Sequence, residues 1–195
     1  MRYRKFEQAV KVSVSEIVES ILGESYAPRE ILEENRLIHH RLGFEGSEEF
    51  SVMVGGLEAY GPESPNSLRS HGPIFDTPIM LTFKPDTFRD DIIYELKILR
   101  PYSDRDRLIT FGVLQLQLEL YALGLEHGRL LVYRYSDKVL EEYDVKLDQS
   151  LAEKMLAYYI QSLKLRGQMI DHLKKSIPNI VKPRDHREVE MVVKD

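Results

Sequence analysis

The chain has 195 residues, of which 43% are hydrophobic and 30% charged, and its formal net charge is −5. A chain of this length can form one domain around a single core. The absence of cysteine excludes disulfides, thiolate zinc sites and cysteine-ligated iron–sulfur clusters, and it fits a cytoplasmic protein. The negative charge argues against indiscriminate nucleic-acid binding, but it does not exclude an enzyme that confines its basic residues to one groove.

Two further compositional features bear on location and source. No run of about 18 apolar residues occurs, so we expect no membrane-spanning segment. Asparagine is rare (Asn35, Asn66 and Asn179), whereas Glu, Lys and Arg are plentiful. Because thermolabile side chains are depleted in proteins from hot environments, this composition leans toward a thermophilic source.

The first third of the chain is predicted to contain two helices followed by strands. Gly23 would stop the first helix, and Pro28 is a favoured residue for the first turn of the second. The predicted elements, in order, are helices 6–22 and 28–42, strands 50–54 and 57–60, and a loop at 61–67.

The remainder of the chain alternates strands and helices. Strands 74–83 and 91–99 are predicted to form an antiparallel hairpin connected by 85–90. Asp104 or Asp106 could cap the long helix that follows the polar loop 101–107. The later predicted elements are helix 108–125, strands 129–135 and 139–145, and helix 151–175.

This order of elements predicts an α/β fold with a mixed sheet. We expect a single domain over residues 1–195, with N-terminal helices at 1–45, a central sheet and helix at 46–147, and a C-terminal helix and tail at 148–195.

The triplet Glu95-Leu96-Lys97 ends the predicted strand 91–99. Residues two apart on a strand project from the same face, so Glu95 and Lys97 are neighbours. Two carboxylates beside a lysine suit phosphodiester hydrolysis, because carboxylates hold a hard divalent cation and lysine can orient the nucleophile or stabilise negative charge. An exposed Glu and Lys on a strand can equally be solvated surface residues.

Two aspartates could supply the second carboxylate. Asp86 follows Pro85, but in the predicted hairpin it lies in the turn, roughly 30 Å of strand away from Glu95 at ~3.3 Å per residue. Asp76 begins the incoming strand, and the predicted pairing places it on the face of Glu95 and Lys97. The hairpin therefore favours Asp76.

Residues 74–135 resemble the RecB-like branch of the PD-(D/E)xK nuclease superfamily, which includes CRISPR-associated exonucleases and archaeal and viral relatives. The ordered match is Asp76, then Glu95-Leu96-Lys97, then Gln117 and Tyr121 on the following helix. The resemblance implies a restriction-endonuclease-like core with a mixed central sheet flanked by helices. It also implies that Gln117 and Tyr121, four residues apart, face the active site while Gln115 points elsewhere.

The resemblance further implies a metal site. His39 on the second helix corresponds to the family's histidine ligand, and Asp76, Glu95 and the Leu96 backbone carbonyl would complete the site for Mg²⁺ or Mn²⁺. The catalytic set would then be Asp76, Glu95, Lys97, Gln117 and Tyr121. Alternatively, His39 could complement the negative end of its helix.

The implied function is a metal-dependent deoxyribonuclease acting on single strands or ends in repair, recombination, viral replication or CRISPR adaptation, without an iron–sulfur cluster. Arg100, Arg105, Arg107 and Tyr121 are the expected nucleic-acid contacts. The expected location is the cytoplasm, or the host cytoplasm for a viral protein, and a homo-oligomer is possible. Two alternatives stay open: a catalytically silent nucleic-acid-binding or assembly protein with the same fold, and a partner-binding α/β protein with no role on nucleic acid.

Overall fold

The structure, a computed structural model, describes residues 9–23, 28–54 and 78–180. Within these residues, helices and strands are interspersed along the chain, which confirms the α/β class. The helices are α1 (Val14–Leu22), α2 (Arg29–Arg41), α3 (Arg105–Leu123) and α4 (Gln149–Ile180). The strands are β1 (Val10–Ser13), β2 (Phe50–Val54), β3 (Ile79–Phe83), β4 (Thr87–Arg89), β5 (Ile92–Leu99), β6 (His127–Arg134) and β7 (Val139–Lys146).

The described strands form two mixed sheets. In the first, with order β1-β3-β2, β1 runs parallel to β3 and β2 runs antiparallel to it. In the second, with order β4-β5-β6-β7, only β5 and β6 are parallel. The prediction of mixed β structure flanked by helices is thus confirmed, with the strands divided between two sheets.

The predicted hairpin between 74–83 and 91–99 is wrong. β3 pairs with β1 and β2, whereas β5 pairs with β4 and β6. The residues expected to form the connection supply a strand of their own, β4, and the chain reverses at Asp90 and Asp91, whose φ angles are 52° and 59°. Aspartate is among the residues that tolerate this left-handed conformation, so a tighter hairpin closes beside β5 than the sequence pattern indicates.

The start of the first helix also differs from the prediction. Residues Val10–Ser13 form β1, and α1 begins only at Val14. Ser13 caps it, because Ser13 Oγ accepts from the Glu16 N–H at 3.2 Å and Glu16 Oε2 accepts from the Ser13 N–H at 2.8 Å. This reciprocal capping box fixes the point where strand becomes helix. The helix ends at Gly23, as predicted.

Helix α3 packs across β5 and β6. Asp104 caps its first turn by accepting from the Arg107 N–H at 3.1 Å, and Gly124, with φ 65°, ends it. A side chain is absent at Gly112, where an added Cβ would lie 2.6 Å from Leu130 Cδ1, so the helix and β6 approach closely. The core beneath α3 consists of Ile93, Leu116, Leu120, Leu130, Val132 and Val145.

Helix α4 begins at Gln149 and extends to Ile180, beyond the predicted 151–175. By its internal contacts the chain divides into two compact units, Met1–Tyr159 and Ile160–Asp195, so α4 begins in the first unit. Among the described residues, no helix combines the length and apolar character needed to cross a membrane.

Candidate active site

A buried cluster of ionisable and amide side chains lies where β5 meets α3. Glu95 and Lys97 project from β5 on the same face, and Lys97 Nζ lies 3.3 Å from Glu95 Oε2. The Glu95 side chain is 2% exposed and that of Lys97 is 17% exposed. The full cluster consists of His39, Asp86, Glu95, Lys97, Gln115 and Glu119. The structure therefore brings together Glu95, Lys97 and His39 from the sequence-predicted set.

Asp86 lies beside β5. The register pairs Thr87 with Tyr94, so the next step along the two strands sets Asp86 opposite Glu95. Asp86 Oδ2 accepts a hydrogen bond of 2.8 Å from the backbone N–H of Leu96. The argument that removed Asp86 from the site rested on the wrong hairpin and fails with it. Asp76, the aspartate chosen from the sequence, lies outside the described residues.

The Leu96 peptide links the strand to this carboxylate. Within a strand the N–H and C=O of one residue point toward the same neighbour. Because the Leu96 N–H points at Asp86, the Leu96 carbonyl faces the same edge of β5. The backbone oxygen predicted as a metal ligand is consequently on the side of Asp86.

His39 reaches the cluster from α2. Its Nε2 lies 3.4 Å from Asp86 Oδ2, and its Nδ1 lies 2.7 Å from the Asn35 carbonyl oxygen. A carbonyl can only accept, so Nδ1 carries a proton, and Nε2 can donate to Asp86 only when the ring is protonated on both nitrogens. Burial alone would lower the pKa of His39, but the hydrogen bond with Asp86 raises it above its usual value.

Arg100 anchors the helix that carries His39. Its Nη2 donates to Glu34 Oε2 at 2.8 Å and to Asn35 Oδ1 at 2.9 Å, both on α2. The guanidinium also lies 4.6 Å from the ring centre of Tyr135. Only 8% of the Arg100 surface is exposed, so this residue is a buried link between α2 and the end of β5. Its charge is paired with that of Glu34.

The other two arginines expected to contact nucleic acid also have partners. Arg105 forms a two-pronged ion pair with Glu141, at 3.2 and 2.5 Å, and donates to Tyr143 Oη at 2.7 Å. Arg107 Nη2 donates to the Gly23 carbonyl at 3.0 Å. The role of these arginines in binding nucleic acid stays a prediction.

The face of α3 that meets the cluster carries Gln115 and Glu119. Gln115 Oε1 accepts a hydrogen bond of 2.7 Å from Lys97 Nζ, and its Nε2 lies 3.3 Å from Glu119 Oε1. Lys97 Nζ also lies 5.5 Å from the ring centre of Phe111, one helical turn earlier. The helix is therefore rotated relative to the sequence-based orientation, in which Gln115 points elsewhere.

Gln117 and Tyr121 point away from Lys97. Gln117 Nε2 donates to the Lys146 carbonyl at 2.9 Å, and its Oε1 accepts from the Asp148 N–H at 2.6 Å. Tyr121 Oη lies 3.5 Å from Glu153 Oε1 on α4. The predicted orientation of this pair is wrong, because both side chains serve the junction between β7 and α4. The same four-residue spacing in Gln115 and Glu119 was the signal for the correct face.

Burial and neighbouring charges shift the pKa values of the three carboxyl groups of the cluster in different directions. Burial raises the pKa of Glu95 to about 7, although the Lys97 charge opposes the shift. Burial also raises the pKa of Glu119 well above its usual range, and the charge of Glu95 adds to the effect. For Asp86, burial alone would raise the pKa, but the hydrogen bond with His39 and the charge of Lys97 hold it below its usual value.

Two buried oxygens in the cluster, Glu95 Oε1 and Glu119 Oε2, have no hydrogen-bond partner. Such oxygens are costly unless a proton or a cation satisfies them. The donor set of Asp86, Glu95, the Leu96 carbonyl and His39 Nε2 suits Mg²⁺ or Mn²⁺, which need one or two carboxylates and retain water. As placed, no three His, Asp or Glu side chains of the described residues are grouped closely enough to hold a metal ion. The donor types nevertheless fit Mg²⁺ or Mn²⁺, because such an ion can be held by two carboxylates and waters without a full set of protein ligands.

Gln115 and Glu119 also border a cavity of about 250 Å³. Its other lining residues include Ser13 and Ser15 at the start of α1 and Thr82 near the end of β3.

Comparison with known proteins finds similarity at the level of fold. No protein-family model and no curated protein sequence matches the chain. The solved structure of SSO0001 is 18% identical over 82% of this chain and 83% of that chain, with a TM-score of 0.51, which shows a common fold. An alkaline exonuclease from Laribacter hongkongensis, LHK-Exo, is 12% identical over 90% of this chain and 97% of its own, with a TM-score of 0.48. The structure of LHK-Exo in complex with dAMP is 12% identical over 88% of this chain and 95% of its own, with a TM-score of 0.47.

Proposed function

We propose that this chain is a metal-dependent nuclease of the PD-(D/E)xK type, in the RecB-like branch, which hydrolyses phosphodiester bonds in DNA. One observation carries the proposal: Asp86, which directly precedes β4, lies beside Glu95 and Lys97 of β5 and accepts a hydrogen bond from the Leu96 N–H. DNA with free ends or single-stranded segments is the proposed substrate.

Asp86, Glu95, the Leu96 carbonyl and His39 would hold the divalent cation. When bound, Mg²⁺ or Mn²⁺ polarises a phosphate and lowers the pKa of a bound water. Asp86 is the carboxylate kept ionised by its surroundings, and Glu95, whose Oε1 has no hydrogen-bond partner, would be the second carboxylate donor. Because the Asn35 carbonyl holds a proton on Nδ1 of His39, Nε2 would be the nitrogen that coordinates the cation.

Lys97 is the proposed cationic group at the reacting phosphate. Burial alone would lower its pKa, but the charges of Glu95, Asp86 and Glu119 raise it above the usual value, so the ammonium stays charged. A fixed positive charge in a poorly solvated site can orient an attacking water and stabilise the charge that develops on the phosphate.

The proposal is tested with purified protein and end-labelled single-stranded and duplex DNA in Mg²⁺, Mn²⁺ or chelator. Wild type is expected to cleave only with metal. Glu95→Gln and Lys97→Met should each lose about 100-fold or more in rate, the usual cost of removing a transition-state contact. Lys154→Met, which changes an exposed lysine on α4, is the matched control. Cleavage by Lys97→Met at the wild-type rate would overturn the mechanism.

A second candidate, a catalytically silent DNA-binding protein, is favoured by one observation. The described residues contain no ready-made group of three metal-binding side chains. This candidate predicts a shift of labelled DNA in a binding assay, no turnover with either metal, and no saturable Mn²⁺ site by calorimetry. The nuclease requires both saturable Mn²⁺ binding and turnover.

A further inference from the structure

We propose that Glu119 is a positioning residue for Lys97, acting through Gln115, and that this helix pair holds the ammonium while Glu95 serves the metal site. The inference rests on the proposed nuclease function and adds a residue to it. Glu119 would touch neither the substrate nor the cation.

Lys97 has polar partners on two different elements. Its Nζ lies 3.3 Å from Glu95 Oε2 on β5 and 2.7 Å from Gln115 Oε1 on α3. The shorter contact is the one to the helix. A Glu95 carboxylate engaged with a cation shares its negative charge and becomes a weaker partner for an ammonium. The contact with Gln115 does not depend on that exchange.

The amide of Gln115 is held in one orientation by its two neighbours. An ammonium can only donate hydrogen bonds, so Lys97 requires the carbonyl end of the amide. The other end of the amide, the NH₂ group, therefore points to Glu119 and donates to its Oε1 at 3.3 Å. Donors and acceptors therefore alternate from Lys97 through Gln115 to Glu119. The contact with Glu119 disfavours the flipped orientation of the Gln115 amide, in which the NH₂ group would face Lys97.

The burial of Glu119 needs an explanation other than packing. The side chain is fully buried, and its neighbours along the helix are the buried leucines Leu116, Leu118 and Leu120. A leucine at this position would cost no desolvation, whereas a buried carboxyl without a full set of partners is destabilising. Its one hydrogen bond inside the cluster is to Gln115, which indicates that contact as the reason for the carboxyl.

The same helix face is shaped to receive the lysine stem. An added Cβ at Gly112 would lie 3.4 Å from Lys97 Cε, so the absence of a side chain leaves room for the methylenes. Phe111 contributes its ring 5.5 Å from Nζ. Phe111, Gly112, Gln115 and Glu119 recur at helical spacing, and together they form one track along α3 beside Lys97.

The test compares Glu119→Leu, which removes the acceptor, with Glu119→Gln, which keeps the shape and one acceptor oxygen. Gln117→Leu is the matched control, because it also removes a buried polar group from α3 but on the face away from Lys97. Glu119→Leu should lower kcat about tenfold with KM changed less than about twofold, and Glu119→Gln should restore most of the loss. Gln117→Leu should keep kcat per folded molecule.

A second readout does not depend on cleavage. The rate at which an amine-acylating reagent modifies Lys97 in chelator, measured by mass spectrometry, should rise about tenfold in Glu119→Leu, because the ammonium loses one anchor. In a Glu95→Gln background the rise should be larger. Gln115→Leu should behave like Glu119→Leu, and the double variant should add little, since both break the same chain.

The outcomes separate the two proposals. If wild type does not cleave DNA but Lys97 acylation responds as described, the nuclease function falls and the positioning role stands. If Glu119→Leu matches Gln117→Leu in both kcat and Lys97 acylation, the positioning role is wrong. Should Glu119→Leu fail to fold, Gln115→Leu supplies the same comparison, and an unchanged acylation rate there overturns the inference.

Discussion

The backbone N–H of Leu96 donates a hydrogen bond of 2.8 Å to Asp86 Oδ2, which ties the aspartate of the Pro85-Asp86 pair to the strand of Glu95 and Lys97. A carboxylate in this position has its orientation fixed by the main chain. His39 Nε2 lies 3.4 Å from the same oxygen, Asp86 Oδ2. Asp86 is consequently the aspartate around which the candidate metal donors are arranged.

The first prediction concerns this aspartate. Asp86→Asn keeps the shape but removes the charge, so Mn²⁺ binding by calorimetry should weaken at least tenfold and cleavage should fall about 100-fold. Asp106→Asn, at an exposed position on α3, is the control. Asp76→Asn is compared in parallel. If Asp76→Asn abolishes cleavage while Asp86→Asn does not, the sequence-based choice of aspartate holds and the assignment of Asp86 is wrong.

The second prediction concerns Gln117. Its side chain satisfies the Lys146 carbonyl and the Asp148 N–H, and replacement by leucine leaves both backbone groups without that partner. We expect Gln117→Leu to lower the free energy of unfolding by about 1–3 kcal/mol in urea titrations. The cleavage rate per folded molecule should stay within about twofold of wild type. A loss of cleavage without a loss of stability would return Gln117 to the active site.

The third prediction concerns the close approach of α3 to β6. In Gly112→Ala the new Cβ would lie 2.6 Å from Leu130 Cδ1, which forces Leu130 or the helix to move. Overpacking of this kind typically costs about 1–3 kcal/mol, measured by thermal or urea unfolding. Gly167→Ala, at a helical glycine where an added Cβ meets nothing within 4 Å, is the control and should not destabilise the protein. Equal stability of the two variants would contradict the described packing.

The fourth prediction concerns pH. Burial raises the pKa of Glu95 from 4.5 to about 7, so the folded protein keeps this proton over a range in which the unfolded chain has lost it. Unfolding in that range releases a proton, and stability should therefore fall as pH rises from about 4.5 to about 7. Relative to wild type, Glu95→Gln should gain stability across this window and level off above it. Urea titrations in chelator at several pH values measure the difference, and a difference independent of pH would contradict the buried, proton-holding Glu95.

Local sequence signals placed most of the elements correctly. The strand 50–54 and the helix stop at Gly23 were predicted at the residues where they occur, and Asp104 was one of two proposed caps for α3. Alternation, capping residues and glycine act over a few positions, so they can be read without knowledge of the rest of the chain. The proximity of Glu95 and Lys97 also follows from strand geometry alone.

Strand pairing and helix rotation were decided by tertiary structure. The short connection before β5 was compatible with pairing to β3, but β3 has partners in the other sheet and the Asp90–Asp91 turn gives β5 a different neighbour. The pairing of β5 with β4 instead of β3 places Asp86 beside Glu95. Helix α3 is largely buried, so its sequence pattern does not mark one polar face, and contact with Lys97 selects Gln115 over Gln117.

The sequence by itself determined the α/β class and the pair of Glu95 and Lys97 on one strand face, because both depend on local geometry. Only the tertiary structure decided which aspartate, which glutamine and which buried glutamate join that pair. Those choices depend on strand register and on the rotation of α3 about its axis, which are set by the packing of distant segments. Lys97 could therefore be identified from the sequence, whereas the residues around it could be identified only from the tertiary structure.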